Sequence, residues 1–108
     1  MNMLTYTKAK LLAQTRIELT CDVDAEIIDE ETIARPYGWV FFYQSTEFLR
    51  TRESGKQLAG NSPILIDRVN GELRLFGTAR PIGDYLKEYE SRLPQARLEM
   101  SSGSPKNE

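Results

Sequence analysis

The sequence predicts an α+β fold: a small antiparallel sheet of about four strands, with an N-terminal and a C-terminal helix packed on it. Three observations support this. Apolar residues recur at helical spacing near the start, the aromatic run 39–43 has the composition of a strand, and Asn70-Gly71 joins two further apolar runs. With helices at both ends of the chain, we expect the helices to cover one face of the sheet.

The first helix is predicted to begin at a threonine cap, Thr5 or Thr7, and to end at Thr20 and Cys21. Its lysines and Arg16 fall largely on the solvent side, which favours core packing over partner binding for the apolar side. The predicted core-facing stripe comprises Tyr6, Ala9, Leu12, Ala13, Ile17 and Leu19.

The segment 22–31 is the most acidic part of the chain, with six carboxylates and no basic residue. Within it, 26–29 is predicted to form a short strand or the approach to one. The segment 32–34 then leads into a strand that ends at Arg35-Pro36, because proline cannot donate to a ladder. Tyr37-Gly38 completes the chain reversal.

The run Trp39–Tyr43 is predicted to be a central strand, because both of its alternating faces are apolar and both therefore need cover. Thr46 can cap a short helical turn that carries Phe48 and Leu49. The polar segment 50–57 is predicted to be a surface loop, and Leu58 to anchor its far end.

A hairpin is predicted across 64–76. Asn-Gly at positions 70–71 is typical of a type I′ turn, since both central positions need positive φ. This turn places 67–69 opposite 72–74. We expect the buried side of the hairpin to include Ile64, Ile66, Leu73 and Leu75.

Pro81 opens the last helix and Pro94 stops it. Residues 1–94 are therefore predicted to form a single domain, and 95–108 a flexible polar tail. The last helix needs a large apolar surface, which the central strand offers. We expect a core formed by Trp39, Phe41, Tyr85, Leu86 and Tyr89.

Composition and charge exclude several classes of function. The net charge of −2 argues against a general affinity for nucleic acid or an anionic membrane. No window approaches the ~20 apolar residues of a membrane span, and no secretory signal is visible, so we expect a cytoplasmic protein. The chain has one cysteine, Cys21, and no histidine, so no catalytic, metal or cofactor site is predicted.

Three sequence patterns point to a family. They are PYGWVFFY at Pro36–Tyr43, LAGNSPILID at Leu58–Asp67 and NGELRLFGTARPIGDYL at Asn70–Leu86. Together they resemble the YrhB-like immunity-protein family of bacterial polymorphic-toxin systems, from the first helix to Leu93. The resemblance implies a small non-catalytic protein that binds and neutralises a cognate toxin. Some members of that family are described instead as heat-stable and chaperone-like.

An acidic surface suits a toxin whose substrate-binding surface is basic, because complementary charge accelerates encounter and fixes register. A solvated acidic loop is the simpler explanation of the same residues. Tyr37 is either an aromatic interface anchor or a core residue, and for Trp39 the core is favoured. The candidate partner-binding residues are Asp22, Asp24, Glu26, Asp29, Glu30, Glu31 and Tyr37.

Two other classes of function stay open. A holdase would bind many unfolded chains weakly and needs a persistent exposed apolar patch. An enzyme using carboxylates alone is disfavoured, because adjacent residues such as Glu30 and Glu31 point to opposite faces of a strand. The range of clients separates an immunity protein from a holdase.

Overall fold

The structure, a computed structural model, describes residues 3–99. It confirms the α+β class, with antiparallel strands and helices near both ends of the described chain. The helices are α1 (Tyr6–Thr20), α2 (Thr46–Thr51), α3 (Ile82–Glu90) and α4 (Gln95–Leu98). The strands are β1 (Ala25–Ile27), β2 (Ile33–Arg35), β3 (Gly38–Phe41), β4 (Tyr43–Ser45), β5 (Ile64–Asp67) and β6 (Leu73–Leu75).

The strands form a four-stranded antiparallel sheet in the order β2-β3-β5-β6 and a separate pair, β1-β4. The pair β1-β4 and the pair β2-β3 belong to one long hairpin. Its first arm contains β1 and β2, and its second arm contains β3 and β4. Between the pair Ile27–Tyr43 and the pair Ile33–Val40, the first arm has the five residues 28–32 and the second arm only 41–42. The three extra residues are accommodated by a 3-10 turn, Asp29–Glu31, which interrupts the predicted strand at its acidic end.

The sheet has a core on each face, and this corrects the prediction that the helices cover one face. Trp39 and Phe41 of β3 pack with α1 in one core, which we call the α1-face core. Val40 between them packs with α3 in the other, the α3-face core. Alternation along a strand sends neighbouring side chains to opposite faces. The predicted meeting of Trp39 and Phe41 with Tyr85, Leu86 and Tyr89 is therefore wrong, and the predicted two-sided cover of the central strand is confirmed.

Helix α1 begins at a cap from Thr5, whose Oγ1 accepts a hydrogen bond of 3.2 Å from the Lys8 N–H. Its buried residues are Tyr6, Ala9, Ala13 and Ile17. Leu12 and Leu19, predicted to be in the same stripe, are 43% and 79% exposed. The reason is that consecutive residues lie about 100° apart around a helix, which places Leu12 well away from Ala13.

The hairpin forms, but its register is two residues from the predicted one. Leu65 is opposite Arg74 and Ile66 is opposite Leu73, so residues 68–71 form a four-residue connection in place of a two-residue turn. The Asp67 carboxylate caps this connection by accepting hydrogen bonds from the N–H groups of Val69 and Asn70. A shift of two residues keeps every side chain on its predicted face. Ile64 and Ile66 are buried and Leu73 is half-buried, but Leu75 is 45% exposed at the sheet edge.

The chain continues past Pro94 into α4, at residues that the sequence assigned to the tail. Leu98 of α4 packs on the α3 face of the sheet. Arg97 donates two hydrogen bonds of 2.8 Å to Asp67, which is 1% exposed. Residues 95–98 therefore contact the folded core, and the predicted tail from residue 100 onward lies outside the described residues.

Candidate partner-binding surface

Five exposed carboxylates lie along the first arm of the long hairpin and its approach. We call this set the acidic surface. It is divided by β1: three carboxylates lie before or on the strand, and two lie on the 3-10 turn after it. Its members are Asp22, Asp24, Glu26, Glu30 and Glu31.

Strand β1 holds the middle of the acidic surface on a rigid element. Ala25 and Ile27 are buried against α1, and Glu26 between them points to solvent. The Glu26 carboxylate accepts a hydrogen bond of 3.2 Å from the Thr46 hydroxyl, at the start of α2. The orientation of Glu26 therefore follows from the strand alternation and does not depend on a flexible loop.

Asp29 has a different role from its acidic neighbours, because it turns toward α1. It accepts hydrogen bonds from the Tyr6 hydroxyl at 3.0 Å and from the Lys10 ammonium at 2.9 Å. The hydrogen bond to Asp29 raises the pKa of Lys10. These contacts hold the 3-10 turn against the helix and leave Glu30 and Glu31 on its outer side.

A cleft of about 500 Å³ lies beside the first part of the acidic surface. Asp24 and Glu47 contribute carboxylates to its lining, while Arg50 and Lys56 contribute cations. Lys56 lies 3.9 Å from Glu47. The formal charges of the lining cancel, so this cleft does not by itself select a charged ligand.

Gln44, a buried residue of β4, holds two lining residues of the cleft, Ser45 and Leu58, in place. Its side-chain carbonyl accepts hydrogen bonds from the N–H groups of Ser45 and Leu58, and its amide donates to the Leu58 carbonyl. Leu58 packs against the α1-face core. This confirms the predicted anchor at the end of the polar loop 50–57.

Tyr37 is removed from the candidate surface, because it is 1% exposed. Its hydroxyl donates a hydrogen bond of 2.7 Å to the Glu90 carboxylate on α3. The centres of the Tyr37 and Tyr89 rings lie 5.3 Å apart. Burial, followed by the contact with Glu90, raises the pKa of Tyr37 well above its ordinary value. Of the two interpretations of this residue, core packing is the correct one; Trp39 is buried in the α1-face core as well.

A basic pocket between β6 and α3 was not predicted. Its three arginines, Arg74, Arg80 and Arg92, lie on three different segments and meet only in the folded chain. The sequence gives no lysine or arginine run that would have indicated it. Arg74 lies on β6, whereas Arg80 and Arg92 lie outside both β6 and α3, so strand or helix periodicity does not connect the three arginines.

Three further observations concern the described residues. Within 3–99, no three or more His, Cys, Asp or Glu side chains are placed to hold a metal ion. Over the same range, no helix has the length and apolar character that crossing a membrane requires. Cys21 is half-buried and packs against the α1-face core.

Comparison with known proteins identifies the family. The model of the family described as "Immunity protein 35" matches residues 7–92, from the first turns of α1 to just past α3. One curated relative is the uncharacterized protein YrhB of Escherichia coli (strain K12). It is 35% identical over 88 residues, which span 82% of this chain and 90% of that relative. No solved structure matches the chain significantly. The chain therefore belongs to the Immunity protein 35 family.

Proposed function

We propose that this protein binds a cognate toxin directly, in the bacterial cytoplasm, and neutralises it by occupying it. Family membership over residues 7–92 is the observation that carries this proposal. The inhibition is stoichiometric and needs no catalytic step by this chain. Residues 1–94 serve as one binding domain.

We also propose that the acidic surface forms part of the contact. Its support is the density of exposed carboxylates on β1 and the adjoining turns, where Asp29 and the buried β1 side chains limit local motion. A preorganised acidic surface suits a toxin that acts on an anionic substrate, because such a toxin presents a basic site. Rigid carboxylates lose little conformational entropy when they bind.

The test is association kinetics with the protein encoded beside this one. Two variants divide the acidic surface: Asp22→Asn with Asp24→Asn, and Glu30→Gln with Glu31→Gln. Each leaves the hydrogen bonds of Asp29 in place. If the surface steers encounter, each should lower the association rate constant by about threefold to tenfold at low salt.

A matched control removes the same number of charges elsewhere, through Asp84→Asn with Glu99→Gln, two exposed positions on and after the last helices. At physiological salt, screening acts over about 8 Å, so the difference between the variants and wild type should shrink. Equal rates for the acidic-surface variants and the control would exclude this surface from the contact.

The wild-type pair tests the function itself. We expect a one-to-one complex by calorimetry and loss of toxin activity at equimolar ratio. Failure of the pair to bind, together with suppressed aggregation of unrelated unfolded proteins, would contradict the immunity proposal and favour the holdase.

A further inference from the structure

The basic pocket is formed by β6, the segment after it, and one side of α3. Its volume is about 230 Å³. Three arginines and one glutamate, Glu88, are its charged lining residues, so the formal charge of the lining is three minus one, or +2. This contrasts with the net charge of −2 of the whole chain.

Two of the arginines are held in place by tyrosine rings. The Arg80 guanidinium lies 4.4 Å from the centre of the Tyr85 ring, and the Arg74 guanidinium lies 5.2 Å from the centre of the Tyr89 ring. Such stacking orients the planar group while leaving N–H donors at its edge free to bind a carboxylate. Glu88 accepts hydrogen bonds from Arg80 at 2.7 Å and from Arg92 at 3.3 Å, and Glu72 accepts one from Arg74 at 2.8 Å. Each guanidinium keeps further N–H donors.

Strand β6 is the edge of the four-stranded sheet and borders this pocket. The N–H of Phe76 bonds to the Pro63 carbonyl, and the N–H of Asp67 bonds to the Glu72 carbonyl. In an antiparallel ladder these bonds alternate along the strand. The N–H and C=O groups of Leu73 and Leu75 therefore point away from β5, toward the open edge, where no further strand from residues 3–99 pairs with β6.

The register determines which side chains an added strand would present. Arg74 is opposite Leu65, a residue of the α3-face core, so Arg74 lies on the pocket side of the sheet. In an added antiparallel strand, the residue opposite Arg74 projects to the same side, with Cβ atoms about 5 Å apart. Its two neighbours project to the other side, next to half-buried Leu73 and exposed Leu75.

We propose that the β6 edge and the basic pocket together bind an extended segment of a partner protein in which one acidic residue lies between two apolar residues. The segment adds to the sheet as a fifth strand. Its carboxylate enters the pocket and bonds to Arg74 and Arg80, and its apolar side chains cover Leu73 and Leu75. Charge complementarity selects this occupant. The lining carries an excess of two positive charges, and one remains when Glu72, which pairs with Arg74 from outside the lining, is counted as well. This binding goes beyond the toxin contact proposed above and does not involve the acidic surface.

The test uses the whole chain and a blocked synthetic peptide, Ser-Thr-Val-Glu-Val-Thr-Ser, titrated by NMR. The expected result is saturable shifts of the Leu73 and Leu75 amide signals. A matched peptide with glutamine in place of glutamate should bind about tenfold more weakly, because a neutral amide oxygen accepts weaker hydrogen bonds from the arginines than a carboxylate does. A third peptide, Ser-Thr-Glu-Val-Val-Thr-Ser, moves the charge to the other side of the strand and should also bind weakly.

Variants of the protein separate the pocket from the edge. Arg74→Ala should weaken binding of the glutamate peptide about tenfold and of the glutamine peptide much less. Lys87→Ala, at an exposed position on α3 outside the pocket, should change neither affinity. Glu88→Gln raises the lining charge to +3 and should tighten binding of the glutamate peptide. Leu75→Pro removes an N–H at the open edge, where proline is tolerated, and should abolish binding of both.

Three outcomes would overturn the proposal: equal affinity for the glutamate and glutamine peptides, amide shifts that fall outside β6 and α3, or a concentration-dependent dimer that masks the β6 amides and excludes the peptide. In the last case, the occupant of the edge is a second copy of this chain. Because the probe is a peptide and not the toxin, these outcomes leave the proposed toxin contact untouched.

Discussion

Arg97 on α4 donates hydrogen bonds of 2.8 Å to both carboxylate oxygens of Asp67, at the end of β5. The same carboxylate accepts a hydrogen bond of 2.9 Å from the Tyr89 hydroxyl on α3. Asp67 therefore joins the sheet, its turn and the last two helices. A buried charge is tolerable only when it is paired and hydrogen-bonded, and each of these contacts contributes to that condition.

Removal of the cation should be strongly destabilising. Arg97→Ala leaves the Asp67 carboxylate buried without its ionic partner, and we expect a loss of about 3 kcal/mol in the free energy of unfolding. Arg97→Lys should recover part of the loss, because it restores the positive charge but its shorter side chain does not place a donor where Arg97 Nη2 lies. Urea denaturation measures both. A loss below about 1 kcal/mol for Arg97→Ala would show that α4 does not stabilise the fold.

The same carboxylate should make stability depend on pH. Burial by itself raises the pKa of Asp67, but hydrogen bonds from Arg97, Val69, Tyr89 and Asn70 together lower it below its ordinary value of 3.8. A carboxyl whose pKa is lowered on folding stabilises the protein above its unfolded-state pKa, and this contribution is lost as the pH falls through the folded-state pKa.

We therefore expect the free energy of unfolding to decrease as the pH falls below about 4, and Asp67→Asn to decrease it less steeply there. Urea denaturation at pH 3 to 6 measures both slopes. Asp84→Asn, at an exposed position, serves as the control for the removal of one carboxylate. Identical slopes for Asp67→Asn and wild type would contradict the assignment.

Gly38 begins β3 at a position where no side chain fits. A Cβ atom there would collide with the backbone carbonyl of Ile66 on β5. Because backbone atoms in the middle of a sheet cannot move aside, Gly38→Ala should cost about 4 kcal/mol or more, or prevent folding. Gly55→Ala is the matched control, since its Cβ would meet no atom within 4 Å and its φ is not positive. The measurement is the melting temperature of each variant by thermal unfolding. Similar melting temperatures for Gly38→Ala and Gly55→Ala would show that the added Cβ does not collide with the Ile66 carbonyl.

The two cores should contribute independently to stability. Phe41→Ala should cost about 3–5 kcal/mol and Leu86→Ala about 2–5 kcal/mol, because both residues are buried. Ile17 and Leu86 lie on opposite faces of the sheet. In a double-mutant cycle, Ile17→Val and Leu86→Ala should therefore add within about 0.5 kcal/mol. A larger coupling would indicate that the two faces do not act as separate cores.

Tyr37 should behave as a core residue in both stability and binding. Tyr37→Phe removes the hydrogen bond to Glu90 and keeps the ring, so we expect a loss of about 1–2 kcal/mol in the free energy of unfolding. The affinity for a toxin should stay unchanged, because the ring is not accessible. A lowered affinity for the toxin with an unchanged free energy of unfolding would indicate that Tyr37 contacts the toxin and would contradict its assignment to the core.

Much of the local structure could be predicted from the sequence, because it depends on neighbouring residues. Thr5 is a cap, and the buried stripe of α1 follows helical spacing at Tyr6, Ala9, Ala13 and Ile17. The acidic segment was recognisable for the same reason, as a run without a compensating base. The resemblance to an immunity-protein family also depends on local patterns, and the match over residues 7–92 confirms it.

Long-range relationships required the tertiary structure. Alternation in β3 separates Phe41 from Val40, but the sequence does not say which helix covers which face, so the two cores could not be distinguished. The pairing of Asp67 with Arg97, 30 residues later, joins α4 to the fold, and no local pattern in the sequence indicates it. The basic pocket contains Arg74, Arg80 and Arg92, because folding brings β6, the segment after it and α3 around one cavity. Charges that lie on separate segments of the sequence come together only through folding, so no local pattern in the sequence indicates this pocket.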